Sequence, residues 1–139
     1  MVRIIIAGGR EFNNYEYLES KCNQVFDSLS NEYYVLSDNV KEDVSNMEII
    51  SGTAKGADAL GEQFAFNYGI KVKRFPANWD AYGKSAGYIR NEQMAKYAVS
   101  NGCYGVLVAF WDGKSRGTKH MINLAKKHGL TVYVFNYVG

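Results

Sequence analysis

The feature that most constrains this chain is a repeated change of hydrophobic period. Val2–Ala7 is a continuous apolar, largely β-branched run that stops at Gly8-Gly9, the pattern of a strand buried on both faces and ended by a tight turn. Directly after it, apolar residues recur at three-and-four spacing at Tyr15, Leu18, Cys22, Val25, Phe26 and Leu29, which predicts a helix of about four turns capped by Asn13 or Asn14. The change then repeats. Met47–Ser51, Ile70–Phe75, Tyr104–Phe110 and Thr131–Phe135 read as strands. Helices are expected over 57–68, closed by Gly69, and over Ala86–Ser100 and Gly117–His128. The polar segment Ser30–Asn46 reads as a surface insertion. Such alternation specifies an α/β fold of three layers, α/β/α, around a five-stranded, mainly parallel sheet, doubly wound in the order 3-2-1-4-5.

With 139 residues, the chain is expected to be one domain over 1–139, able to bury roughly 68% of its unfolded surface without a disulfide or metal. Its longest apolar runs, such as 105–111, fall well short of the 18 or so residues a membrane span needs. Sixteen basic and fourteen acidic side chains leave a net charge of +2, too little to draw nucleic acid or a membrane surface by bulk electrostatics. The first strand starts at once with Arg3 as its only charge, so no signal peptide is read and a cytoplasmic location is expected. Cys22 and Cys103 read as reduced, buried thiols. With only His120 and His128 besides, neither a metal site nor a resident cofactor is expected.

A doubly wound sheet opens a crevice beyond the carboxyl ends of its strands, so unusual residues should follow strands. They do so four times. After the first strand, Gly8 and Gly9 let backbone N–H groups approach an anion at a helix start and Arg10 adds a charge-assisted fork; the same residues also suit a plain strand-to-helix turn. Glu11 and Phe12 break the G-x-G-x-x-G pattern, which disfavours a dinucleotide dehydrogenase. After the second, Gly52-Thr53-Ala54-Lys55-Gly56-Ala57-Asp58 lacks the G-x-x-x-x-G-K-S/T of a nucleoside triphosphatase. Its Asp58 suits either ribose hydroxyls or the dipole of the following helix. The stretch Pro76–Asn91 supplies Trp79 and Tyr82 to stack a base or to plug the sheet edge, with Lys84, Arg90 and Asn91 for phosphate or ribose. After the fourth strand, Gly113 and Gly117 free the backbone. Ser115 and Thr118 bring hydroxyls to a helix start, either for an anion or as simple caps.

In this order, Gly8-Gly9-Arg10-Glu11-Phe12, Gly52-x-Ala54-x-Gly56-Ala57-Asp58, the segment from Phe75 to Met94 and Gly113-x-Ser115-Arg116-Gly117-Thr118 resemble the SLOG superfamily of Rossmann-like proteins, and within it the YspA/YpsA-related branch. That superfamily includes phosphoribohydrolases that cleave the N-glycosidic bond of nucleoside monophosphates, proteins thought to sense nucleotide-derived ligands, and DNA-binding members. The resemblance implies a ligand built from ribose, phosphate and a base, and a homodimer or higher homo-oligomer. The phosphoribohydrolases carry an R-K-x-x-M helix and a G-G-x-G-T-x-x-E loop. The matching positions here are Arg90, Asn91 and Met94, then Lys114, Ser115, Gly117 and Thr118, with Met121 where the catalytic glutamate falls. Methionine cannot stabilise an oxocarbenium-like transition state. A carboxylate from another loop, among Asp58, Glu62, Asp80, Glu92 and Asp112, would have to do so, and Asp58 and Glu62 are the catalytic candidates.

The expected function is therefore capture of a nucleotide or nucleotide-derived signal, an ADP-ribose-like molecule or a cyclic nucleotide, for sensing or sequestration. Arg10, Lys84, Arg90, Ser115, Arg116 and Thr118 are expected on phosphate, Trp79 or Tyr82 over the base, and Asp58 and Asn91 on ribose, with Gly8, Gly9, Gly52, Gly113 and Gly117 giving close backbone approach. One alternative is a nucleoside 5′-monophosphate N-glycosidase. A weaker one is single-stranded DNA binding, against which the near-neutral charge counts.

Overall fold

Along Val2–Gly8 (β1) successive side chains leave opposite faces, and both faces are apolar: Ile4 and Ile6 enter one buried cluster, Ile5 and Ala7 another. Tyr104–Trp111 (β4) alternates in the same way, with Val106, Val108 and Phe110 on the first side and Leu107 and Ala109 on the second. A sheet with two greasy faces needs a helical layer on each. In the computed structural model, which describes residues 1–33 and 44–138 and the side chains of 1–29 and 45–138, it has both.

With Met47–Ser51 (β2), Lys71–Arg74 (β3) and Thr131–Asn136 (β5), the strands form one sheet, β3-β2-β1-β4-β5, in which every neighbouring pair is parallel. This is the expected three-layer α/β arrangement, and the sequence expectation of a mainly parallel sheet is met by an all-parallel one. Tyr15–Tyr33 (α1) and Ala57–Tyr68 (α2) cover the first face through Leu18, Cys22, Val25, Phe26, Leu29, Phe64 and Ala65. Ala86–Ala98 (α4) and Arg116–Lys127 (α5) cover the second through Met94, Ala95, Ala98, Met121, Ile122 and Ala125. Between β3 and α4 lies the short helix Trp79–Tyr82 (α3). The strand order reverses between β1 and β4, whose carboxyl ends meet at Gly8 and Phe110. The packing there is close: a Cβ on Gly8 would lie 2.2 Å from the Phe110 carbonyl oxygen, and one on Gly61 of α2 would lie 2.8 Å from Ile6.

Several boundaries differ from the sequence expectation. Asn14, not Asn13, caps α1, its Oδ1 accepting from the Tyr17 N–H at 3.0 Å. The helix runs past four turns to Tyr33, so it takes up the first residues of the segment expected to be an insertion; 34–43 lie outside the described residues, and Val44–Asn46 form a 3-10 turn. β3 is shorter than Ile70–Phe75 because it is a sheet edge paired only to β2 and largely exposed. Within the stretch read as irregular, Asn78 caps α3 by accepting from the Ala81 N–H at 3.1 Å, and Gly83–Ser85 make a 3-10 turn. Cys22 is fully buried and burial pushes its thiol up to about 12, whereas Cys103, expected buried, is only partly so. Among the described residues no helix is long and apolar enough to cross a membrane.

At the amino edge of the sheet a polar cluster is closed on itself. The Arg3 guanidinium lies 3.8 Å over the Tyr97 ring, donates to the Tyr97 carbonyl and the Ser100 hydroxyl at 2.8 Å each, and stands 3.2 Å from Glu48, which also accepts from the Tyr97 hydroxyl at 2.5 Å.

Candidate functional site

The carboxyl edge holds a cavity of about 500 Å³, walled by the ends of β1 and β4, the loop before α2, the α3–α4 segment and the first turn of α5. That size is ordinary for a small-molecule site. Its charged wall residues are balanced in sign: Arg10, Lys84 and Arg90 against Glu11, Asp58 and Asp112.

Asp58 and Arg90 form its buried side. Asp58 is 6% exposed and its Oδ2 accepts from the Ala54 N–H at 3.1 Å. Desolvation pushes its carboxyl up to about 6, against the opposing pull of the Ala54 N–H, Arg90 and Arg10. Arg90 donates to the Gly52 carbonyl oxygen, and its Nε donates to Asn91 Oδ1 at 3.1 Å. Gly52 is there for space: a Cβ would lie 2.7 Å from Asp58 Oδ2 and 2.8 Å from Arg90 Nη1. The loop is tied to the first one by the Ala57 N–H, which donates to the Gly9 carbonyl at 3.1 Å.

The first turn of α5 is built differently. Asp112 Oδ1 accepts from the Lys114 and Ser115 N–H groups at 2.8 Å each, which holds the carboxyl below its ordinary range and sets the turn into the helix. Ser115 caps α5 by accepting from the Thr118 N–H at 3.5 Å, and it also accepts from the Thr118 hydroxyl at 3.2 Å. A hydroxyl that accepts twice has its own proton left to donate. No acidic residue occupies this first turn. The early N–H groups, which an α-helix leaves without intrahelical partners, therefore face a cavity side without a carboxylate of their own helix.

A family model described as the YspA, cpYpsA-related SLOG family matches residues 2–82, more than half of the chain. The chain belongs to this family. Gene 61 protein of Mycobacterium phage D29 is 26% identical to it over 140 residues, spanning 97% of this chain and 97% of that protein. No solved structure matches the chain. The SLOG match covers the loops after β1 and β2 and stops before Arg90 and α5, so that half of the cavity stands on geometry.

Of the residues singled out in the sequence of this SLOG protein, Gly8, Gly9, Arg10, Asp58, Trp79, Lys84, Arg90, Asn91, Ser115, Gly117 and Thr118 line the cavity. Gly52 lines an adjoining one, and Tyr82, Gly113 and Arg116 line neither. The glycine turn after β1 is not at a helix start as expected: Phe12 N–H donates to the Gly9 carbonyl at 3.3 Å and α1 begins only at Tyr15. Trp79 and Tyr82 are each 50% exposed, so neither is a buried plug. Asn91 is buried with its amide in use, accepting from Arg90 and directing its nitrogen to the Gly117 carbonyl at 3.4 Å and to His120 Nδ1 at 3.2 Å. It orients Arg90 against α5 instead of offering a free amide to ribose. Glu62 is not brought to the cavity; it accepts from the Ser51 hydroxyl at 2.6 Å and pairs with Arg74 at 2.5 Å.

Sequence reasoning missed Tyr88 and Tyr137. Tyr88 sits on the α4 side with its ring edge-on to His120, 4.5 Å between centroids. The Tyr137 hydroxyl lies over Gly9, so close that a Cβ there would fall 1.7 Å from it. Burial, with Asp112 and Glu11 nearby, raises that phenol above its ordinary range. The only signal for Tyr137 was its position just past the last strand, next to the reversal point.

Proposed function

We propose that this cavity binds a nucleotide or nucleotide-derived small molecule, such as an ADP-ribose-like molecule or a cyclic nucleotide, for sensing or sequestration. The observation that supports this best is that two features line one cavity: the α5 first turn with Ser115, Gly117 and Thr118, and Arg90. A helix start with unpartnered N–H groups and a hydroxyl proton to donate suits phosphate oxygens, and a partly buried arginine adds a charge-assisted contact. Arg10 and Lys84 add exposed cations at the rim, and Asp58 accepts from hydroxyls as a sugar presents them. The Trp79 ring, half exposed with its tip near Gly87, supplies a face for a base.

Calorimetry with 5′-AMP, ADP-ribose and a 3′,5′-cyclic nucleotide tests the reading. At least one of them should bind about one to one, and Arg90→Ala should weaken it about 100-fold while the variant still melts cooperatively. No heat from any of the three, or an unchanged affinity in the variant, would overturn it. Within the same reading the protein is a cytoplasmic homo-oligomer, which light scattering on the eluting species checks.

A second reading, a nucleoside 5′-monophosphate N-glycosidase, draws on one observation: Asp58 is a buried carboxyl on the cavity wall whose proton affinity lies near neutrality. Release of free base from a nucleotide, lost in Asp58→Asn, supports it; intact nucleotide after prolonged incubation removes it.

A further inference from the structure

Beside the main cavity lies a second one of about 280 Å³, between the loops that follow β2 and β3. Thr53, Lys55 and Pro76 belong to it alone, while Arg10, Trp79 and Arg90 line both. The two differ in charge. The main cavity has three carboxylates against three cations; the second has Arg10, Lys55 and Arg90 and no carboxylate in its wall. The nearest acid to Lys55 is Glu11, 3.9 Å away with both side chains largely exposed, a contact too open to neutralise the lysine.

The rim of this cavity is also held in an unusual shape. Thr53, a β-branched residue, has φ +64, a region such residues rarely adopt and which structures keep only where surrounding bonds impose it. Here they do: the Thr53 N–H donates to the Ser51 hydroxyl oxygen at 3.0 Å, and that hydroxyl donates to Glu62 at 2.6 Å. The Arg74–Glu62 pair anchors the chain of contacts. Glu62, a candidate for catalysis on sequence, is here a positioning residue for the loop.

We infer that the second cavity is an anion subsite, and that the ligand of the main cavity carries a second anionic group, separate from the one at the start of α5, which lies between Arg10, Lys55 and Arg90. The inference rests on the proposed ligand site and deepens it: a nucleoside monophosphate fills one end, and a molecule with two separated phosphates fills both.

Amide-resolved NMR titration of the whole chain distinguishes the two claims. Inorganic pyrophosphate should shift the amides of Thr53 and Lys55, 5′-AMP should shift those of Gly117 and Thr118, and adenosine 3′,5′-bisphosphate, whose two phosphates are separated by the ribose, should shift both sets with one dissociation constant at least tenfold below that of AMP. Lys55→Ala, at an exposed position, should weaken the pyrophosphate response about fivefold and leave the AMP response unchanged. If AMP shifts Gly117 and Thr118 but pyrophosphate leaves Thr53 and Lys55 unmoved, or if adenosine 3′,5′-bisphosphate binds no tighter than AMP, the second subsite is overturned and the first reading stands. If no probe moves Gly117 or Thr118, the reading of the α5 start falls, and the two-ended ligand with it.

Discussion

The helices α2 and α5 both begin at the carboxyl edge of the sheet, yet the chain finishes them in opposite ways. At α2 the first turn contains Asp58, whose carboxylate takes the Ala54 N–H, and the Ala57 N–H is spent on Gly9. Arg90 crosses to the Gly52 carbonyl and completes the closure. At α5 the cap is the neutral Ser115 and the first turn has no acid. A carboxylate near a helix start is worth about 0.3–1 kcal/mol where solvent reaches it; at α2 it lies inside the first turn and is buried, whereas at α5 it is Asp112 in the preceding loop, spent on the Lys114 and Ser115 N–H groups. The glycines follow suit. Gly52 has no room for a side chain because Asp58 and Arg90 fill it, whereas a Cβ on Gly117 would meet nothing within 4 Å. A helix start with no acid in its first turn beside an unfilled volume is what an anionic ligand needs, and of these two only α5 has it.

The difference can be broken from either side. Arg90→Ala removes the group that serves both regions and should have the largest effect, about 100-fold in ligand affinity by calorimetry. Asp58→Asn acts on the closed region alone. Because the folded carboxyl titrates near 6, above its ordinary value, the folded state binds this proton more tightly than the unfolded chain. Wild-type stability from this group is therefore fully present below about pH 4, falls as pH rises to about 6, and stays lower above. Relative to wild type, the asparagine variant should gain about 2 kcal/mol between pH 4 and pH 8 in denaturant unfolding; a constant difference across that range would contradict the closed reading of α2. Gly52→Ala should cost about 1–2 kcal/mol and displace Arg90, so that stability and affinity fall together. Gly117→Ala sharpens the contrast: stability should hold or rise by up to about 0.5 kcal/mol, while affinity drops about tenfold as the methyl enters the anion site.

The sheet was legible because β1 and β4 are apolar on both faces and their strand period differs plainly from the helical one that follows. Strand order followed from the doubly wound pattern. What escaped was settled by contacts remote in sequence. No local pattern says that Tyr137 covers Gly9, since that depends on β5 lying beside β4 and β4 beside β1. Nor does spacing tell that Glu62 turns away to Ser51 and Arg74 while Asp58, one turn earlier, faces the cavity. Asn78 is a good cap, but the aromatic and glycine-rich residues after it hid the short α3. The plain cap and the anion site, weighed as alternatives for Ser115, turn out compatible: its oxygen caps the helix and its proton remains to donate.

The most direct test of the account is mass spectrometry of what the native protein retains from a cell-derived nucleotide extract, set beside Arg90→Ala treated identically. The account predicts an intact phosphate-bearing nucleotide held by the native protein at about one per site and absent from the variant. Nothing retained by the native protein, or equal retention by both, would contradict it.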